Sequence, residues 1–126
     1  MPAVVPYVAE EYTVDKLMDK TGSITTRPEY VGWGTGGGTP PTKSSTTLTT
    51  PASESRVLAT VTKTGSGQTA QYQAVATITA NGSKTINEVG LFTASAAGTA
   101  FVLSDHTGVA VVLNDSIQYT ITVDPS

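Results

Sequence analysis

Asp115-Ser116-Ile117-Gln118-Tyr119-Thr120-Ile121-Thr122-Val123 alternates polar and apolar side chains without a break. Only a strand puts successive side chains on opposite faces, so this stretch has one buried and one wet face. The same period recurs upstream, in Val57, Ala59 and Val61 and again in Tyr72, Ala74, Ala76 and Ile78. Asn81-Gly82 follows, a two-residue hairpin signal because a type I′ turn needs positive φ at both positions. The return strand holds Ile86, Val89, Leu91 and Phe92, and its alternation slips near Glu88-Val89-Gly90, where Gly90 would allow a bulge. Ala94 to Gly98 reads as a small-residue turn, Phe101-Val102-Leu103 as a short buried strand, and Val109 to Leu113 as another apolar run. With Glu29-Tyr30-Val31-Gly32-Trp33 as a first strand, there are about six or seven short strands with turn signals roughly every 8–12 residues. This predicts an all-β chain: an antiparallel β-sandwich or jelly-roll-like domain, with a small barrel as the third option.

The expected organisation is an N-terminal arm and short helix over 1–28 and a β-domain over 29–126, with a long loop at 34–53. Pro2 and Pro6 hold the arm extended, and Val4, Val5, Tyr7 and Val8 are too apolar for a free tail. The arm packs either on its own domain or on a neighbouring subunit. Thr13 would cap a helix over 13–20 whose one face carries Val14, Leu17 and Met18, and Gly22 would end it. The loop, with Gly36-Gly37-Gly38 and Pro40-Pro41, has no periodicity. Its length for a compact domain points to a function or an intersubunit role.

Composition narrows the function. Charged residues make up 13% of the 126, about half the usual share, which leaves an uncharged, Thr-rich surface of the kind β structure favours. Net charge is −3 and the seven basic residues are scattered, so no nucleic-acid partner is expected. The absence of Cys removes disulfides, thiolate chemistry and Cys–zinc sites. The first residues have no basic n-region and no apolar core of a signal peptide. No stretch reaches the ~20 apolar residues of a membrane helix. The expectation is a protein held soluble in a host cytoplasm until it is used.

Several motifs invite chemistry and do not sustain it. Gly32-Trp33-Gly34-Thr35-Gly36-Gly37 spells G-x-G-x-x-G, but Thr39-Pro40-Pro41 leaves no room for the helix that would hold a pyrophosphate. Ser104, Asp105 and His106 resemble a triad in name only, since neighbours on a strand point to opposite faces. Asp15, Asp19, Glu10 and Glu11 form no calcium loop. Tyr30 and Trp33 offer a small sugar platform, although a lone large aromatic more often fills a core or an interface. Asn81-Gly82-Ser83 matches a glycosylation sequon that the expected turn already explains. We therefore expect no enzyme, no metal and no cofactor.

Five blocks resemble those of small tailed-bacteriophage virion structural proteins: Tyr30–Gly36, Glu54–Val57, Tyr72–Ala80, Ile86–Phe92 and Asn114–Thr120. Together with residues from 13 onward they span most of the chain. That family is variously labelled head decoration, cement or fibre-like. The resemblance implies a capsid decoration protein on the outer surface of the assembled head, bridging copies of the major capsid protein. It implies a homo-oligomer, with a trimer at threefold positions before a dimer at twofolds. Val4, Val5, Tyr7, Val8, Val14, Leu17, Met18 and Trp33 are the candidate interface residues. The alternative is a tail or neck fibre, or a receptor-binding module contacting host surface glycans through Tyr30, Trp33 and loop 34–53.

Overall fold

Alternating strands with a single apolar face must bury that face against something, and here two antiparallel sheets share one core. In the computed structural model, residues 3–4, 27–38, 40–64 and 71–123 are described. The strands are β1 (Ala3–Val4), β2 (Tyr30–Gly34), β3 (Val57–Leu58), β4 (Thr60–Thr64), β5 (Gln71–Thr79), β6 (Lys84–Phe92), β7 (Ala100–Val111) and β8 (Ser116–Val123). The larger sheet runs β1-β7-β6-β2-β3 and the smaller β4-β5-β8. The described residues include no helix. The helix expected over 13–20 lies outside the described residues, as does the arm apart from β1. Backbone pairing sets Ala3 opposite Ser104 and Val4 opposite Leu103, so β1 lies on its own domain.

The core between the sheets is asymmetric. The larger sheet contributes bulk through Val31, Trp33, Ile86, Val89 and Leu91, while the smaller contributes Ala74, Ala76 and Ile78. On one side the chain closes the stack by changing sheets: β3 belongs to the larger sheet, β4 to the smaller, and buried Ala59 is the corner between them. The Ala59 amide is held there by the Glu29 carbonyl at 2.7 Å.

Asn81-Gly82 does not form the expected hairpin. β5 and β6 lie in different sheets, and neither Asn81 nor Gly82 is among the described residues with positive φ. The segment is an arch from one sheet to the other. It runs beside a second arch at 112–115, to which Ala80 is tied in both directions, its amide to the Asp115 carbonyl and its carbonyl to the Asn114 amide. The positive φ falls on Asn114, at 75°, in that second arch. A further correction concerns β7, which is one strand of 12 residues where the sequence reads as two apolar runs.

The slip in β6 has two causes. Its register against β7 shifts between Ile86 and Glu88, so the irregularity sits at Asn87 rather than Gly90. Ile86, Val89 and Leu91 face the inter-sheet core, whereas Phe92 packs on the opposite face with Leu48, Ala100, Leu103 and Tyr30. The strand is thus covered on both sides, by the smaller sheet and by the long loop carrying Leu48, and a strand buried on both faces loses its alternation. Gly90 serves close approach: a Cβ there would lie 2.6 Å from the Phe92 ring. Phe92 is 1% exposed and cannot swing clear. Gly90→Ala should therefore lower stability by about 1–3 kcal/mol, read as a lower urea midpoint with unchanged slope.

Candidate functional site: the clamped loop and its cleft

One extra residue at Asn87 decides where Glu88 points. Without it, Glu88 would follow Ile86 onto the core face by the two-residue period. With it, Glu88 faces the loop. Its carboxylate is 5% exposed. Oε2 accepts the amides of Gly36 at 2.9 Å and Thr50 at 2.8 Å, and Oε1 accepts that of Thr49 at 2.9 Å. Asn87 Oδ1 takes the Gly37 amide at 2.7 Å. The two ends of the loop are joined by the Thr35 amide on the Thr50 carbonyl at 2.9 Å and by the Gly34–Pro51 bridge.

This arrangement explains the glycine motif. Gly32, Gly34 and Gly36 occur at every second position, on the face of β2 and its extension opposite Trp33. A Cβ at Gly34 would strike the Thr50 carbonyl and the Glu88 carboxylate, and one at Gly36 would lie 2.7 Å from Thr49 and 2.8 Å from Glu88 Oε2. The glycines make room for a carboxylate of the same chain, not for a nucleotide.

A second carboxylate fastens the far end of the loop. Glu54 Oε1 accepts the indole N–H of Trp33 at 3.0 Å, and Oε2 accepts the Asn81 amide at 2.8 Å and the Lys84 ammonium. The Glu54–Lys84 pair is largely withdrawn from water, with side-chain exposures of 6% and 15%. Burial alone would raise the Glu54 pKa. The Lys84 ammonium and then the Asn81 and Trp33 donors outweigh it, and the carboxyl falls from 4.5 to about 2.

Arg56 holds the opposite wall. Its guanidinium lies 3.6 Å from the centre of the Phe92 ring, and Nη1 donates to the carbonyls of Ala94 at 2.9 Å and Ala97 at 2.8 Å. Those bonds fix the β6–β7 turn, where Ala97 and Gly98 adopt φ of 54° and 70°. Burial lowers the Arg56 pKa. Between this turn and the loop is a cleft of about 270 Å³, lined by Thr47, Pro51, Ser55, Arg56, Ser95 and Ala97 among others.

The remaining candidates disperse. Trp33 is 2% exposed and belongs to the core, the first of the roles open to it, and half-buried Tyr30 packs beside Phe92, so the pair presents no sugar platform. The backbone of Val4 is in β1, while Val5, Tyr7, Val8, Val14, Leu17 and Met18 lie outside the described residues. His106 pairs with the Thr107 carbonyl through Nδ1 at 2.8 Å and with the Tyr119 hydroxyl through Nε2 at 3.0 Å. The carbonyl contact makes Nδ1 the donor, so Nε2 of the neutral ring accepts from Tyr119. Ser104 donates instead to the Asp105 carbonyl, so the three neighbours form no relay. Burial pushes the Tyr119 phenol up to about 12. Among the described residues no group of three His, Asp or Glu is placed to hold a metal ion. Sequence reasoning missed Glu88, Glu54 and Arg56; only the alternate spacing of Gly32, Gly34 and Gly36 hinted that something packs closely there.

No protein-family model, curated protein or solved structure matches the chain.

Glu88→Gln leaves one loop amide facing an N–H₂ group. The expected cost is about 1–3 kcal/mol, with faster hydrogen exchange at Gly36, Thr49 and Thr50 and little change in β5. Because the Glu54 pKa is depressed in the folded state, its contribution is complete above pH 4.5 and is lost as pH falls toward about 2. A Glu54→Gln variant should be less stable than the wild type at pH 6, and the gap should narrow between those two values in urea titrations.

Proposed function

We propose that this protein is a capsid decoration protein of a tailed bacteriophage, a sandwich-like β-domain that binds the outer surface of the assembled head and bridges copies of the major capsid protein. The observation that carries this reading is the use made of the buried charge. Glu88 and Glu54 fix one loop to a two-sheet body through backbone amides and Lys84. The blocks that resemble virion proteins hold these same residues: Gly34 and Gly36, Glu54, and Glu88. The resemblance thus falls on scaffold positions, as suits a protein whose work is mechanical.

A binding surface is also present. Val109, Val112 and Leu113 are 43%, 56% and 61% exposed within one stretch of five residues at the arch end of the domain. Apolar side chains grouped in this way mark contact sites, and this reading gives them to the capsid. Repetition over a symmetric shell lets a weak contact hold firmly.

Quantitative mass spectrometry of purified virions tests the reading. The expected copy number is a simple fraction of that of the major capsid protein. A handful of copies per particle would move the protein to the neck or tail, and its absence from virions would overturn the proposal. Leu113→Asp should weaken binding to heads at least tenfold while leaving the thermal midpoint within a few degrees.

A further inference from the structure

The two-sheet stack is closed by the corner at Ala59 on one side and open on the other. There the smaller sheet ends in β8, and no other described strand pairs with its outer edge. β8 pairs with β5 along its whole length, from Ser116 opposite Thr79 to Val123 opposite Tyr72. In an antiparallel ladder alternate residues direct their N–H and C=O groups away from the paired neighbour, so the free edge offers a full row of donors and acceptors.

Natural edge strands are protected by lysine, proline, bulges or short length. β8 has none of these: Ser-Ile-Gln-Tyr-Thr-Ile-Thr-Val contains no charge, no proline and no glycine, and its register is unbroken. The core-facing row, Ile117, Tyr119, Ile121 and Val123, is only half-buried. A cavity of about 150 Å³ opens beside it, lined by Val89 and Val102 from the larger sheet and by Tyr119 to Thr122 from β8. Residues from both faces of β8 line this space, which places it at the strand's edge.

We propose that this edge pairs with β8 of a second copy, antiparallel across a twofold axis, joining two three-stranded sheets into one of six. The occupant follows from symmetry and chemistry. A twofold axis normal to the sheet makes the strand its own antiparallel partner and keeps both apolar rows on one side. With Thr120 on the axis, Tyr119 faces the second copy's Ile121, Gln118 faces Thr122, and Ile117 faces Val123. Every opposed pair is apolar with apolar or polar with polar, and the absence of charge leaves nothing to repel. The contact brings about eight residues from each copy, well below the roughly 20–30 of a standard interface, so the dimer should dissociate in the micromolar range. This pairing does not depend on the capsid reading. It favours twofold association over the trimer expected from the resemblance.

Sedimentation velocity on the full chain across the micromolar range should show a reversible monomer–dimer equilibrium. The Thr120 side chain is exposed, so Thr120→Lys leaves the core intact while placing two like charges on the axis. That variant should be monomeric with an unchanged thermal midpoint, as should Thr120→Glu. Mixing the two should restore the dimer. The chain has no cysteine, so Thr120→Cys should also give a disulfide-linked dimer on mild oxidation, while Ser44→Cys on the long loop should not. A wild type that stays monomeric throughout overturns the proposal, as does a dimer that survives Thr120→Lys. A monomer whose β8 amides resist hydrogen exchange would assign the edge to a segment of the same chain, and that too overturns it.

Discussion

A buried carboxylate facing three backbone amides is the constraint around which this domain is arranged. A loop without periodicity cannot hold itself in place, because its backbone groups need partners and it has little apolar surface to bury. Glu88 supplies those partners from a strand in the middle of the larger sheet. Hydrogen bonds to a charged acceptor are about twice as strong as neutral ones, and three of them converge on one side chain. The cost of burying the charge is offset only while all three stay made, so the loop is ordered as a unit.

The consequences spread outward from that point. The loop brings Leu48 onto the outer face of the larger sheet, where Phe92, Ala100 and Leu103 complete a second, smaller core. Phe92 in turn bears the Arg56 guanidinium, which fixes the turn at 94–97. On the other side Trp33 fills the inter-sheet core while its indole N–H reaches Glu54, which ties the loop's end to the arch at Asn81. The larger sheet therefore works on both faces. The smaller sheet works on one face and leaves an edge open at β8.

Much of the fold can be read locally. The period-two runs at 57–61, 72–78 and 117–123 appear as strands with their apolar positions inward. Other features were legible as signals and misleading as structure. Asn81-Gly82 has the composition of a tight hairpin, yet the chain passes between sheets there, because Glu54 and the neighbouring arch hold its ends apart from any hairpin partner. Gly90 has the look of a bulge residue, and the bulge is at Asn87. The glycine repeat at 32–36 resembles a phosphate cradle and is the clearance for Glu88. Each of these depends on a residue more than 20 positions away, beyond the reach of any local pattern.

The sequence by itself determined that this is an all-β chain without thiol chemistry, and it marked which strands have a single buried face. Those properties follow from side-chain alternation and composition, which act within a few residues. Tertiary structure alone decided that Glu88 faces a loop instead of the core, that the β6 strand is covered on both sides, and that β8 is left at an edge. The physical reason is the same in each case. One extra residue in a ladder reverses the facing of everything that follows it, and which backbone groups find partners is settled by segments brought together from distant parts of the chain.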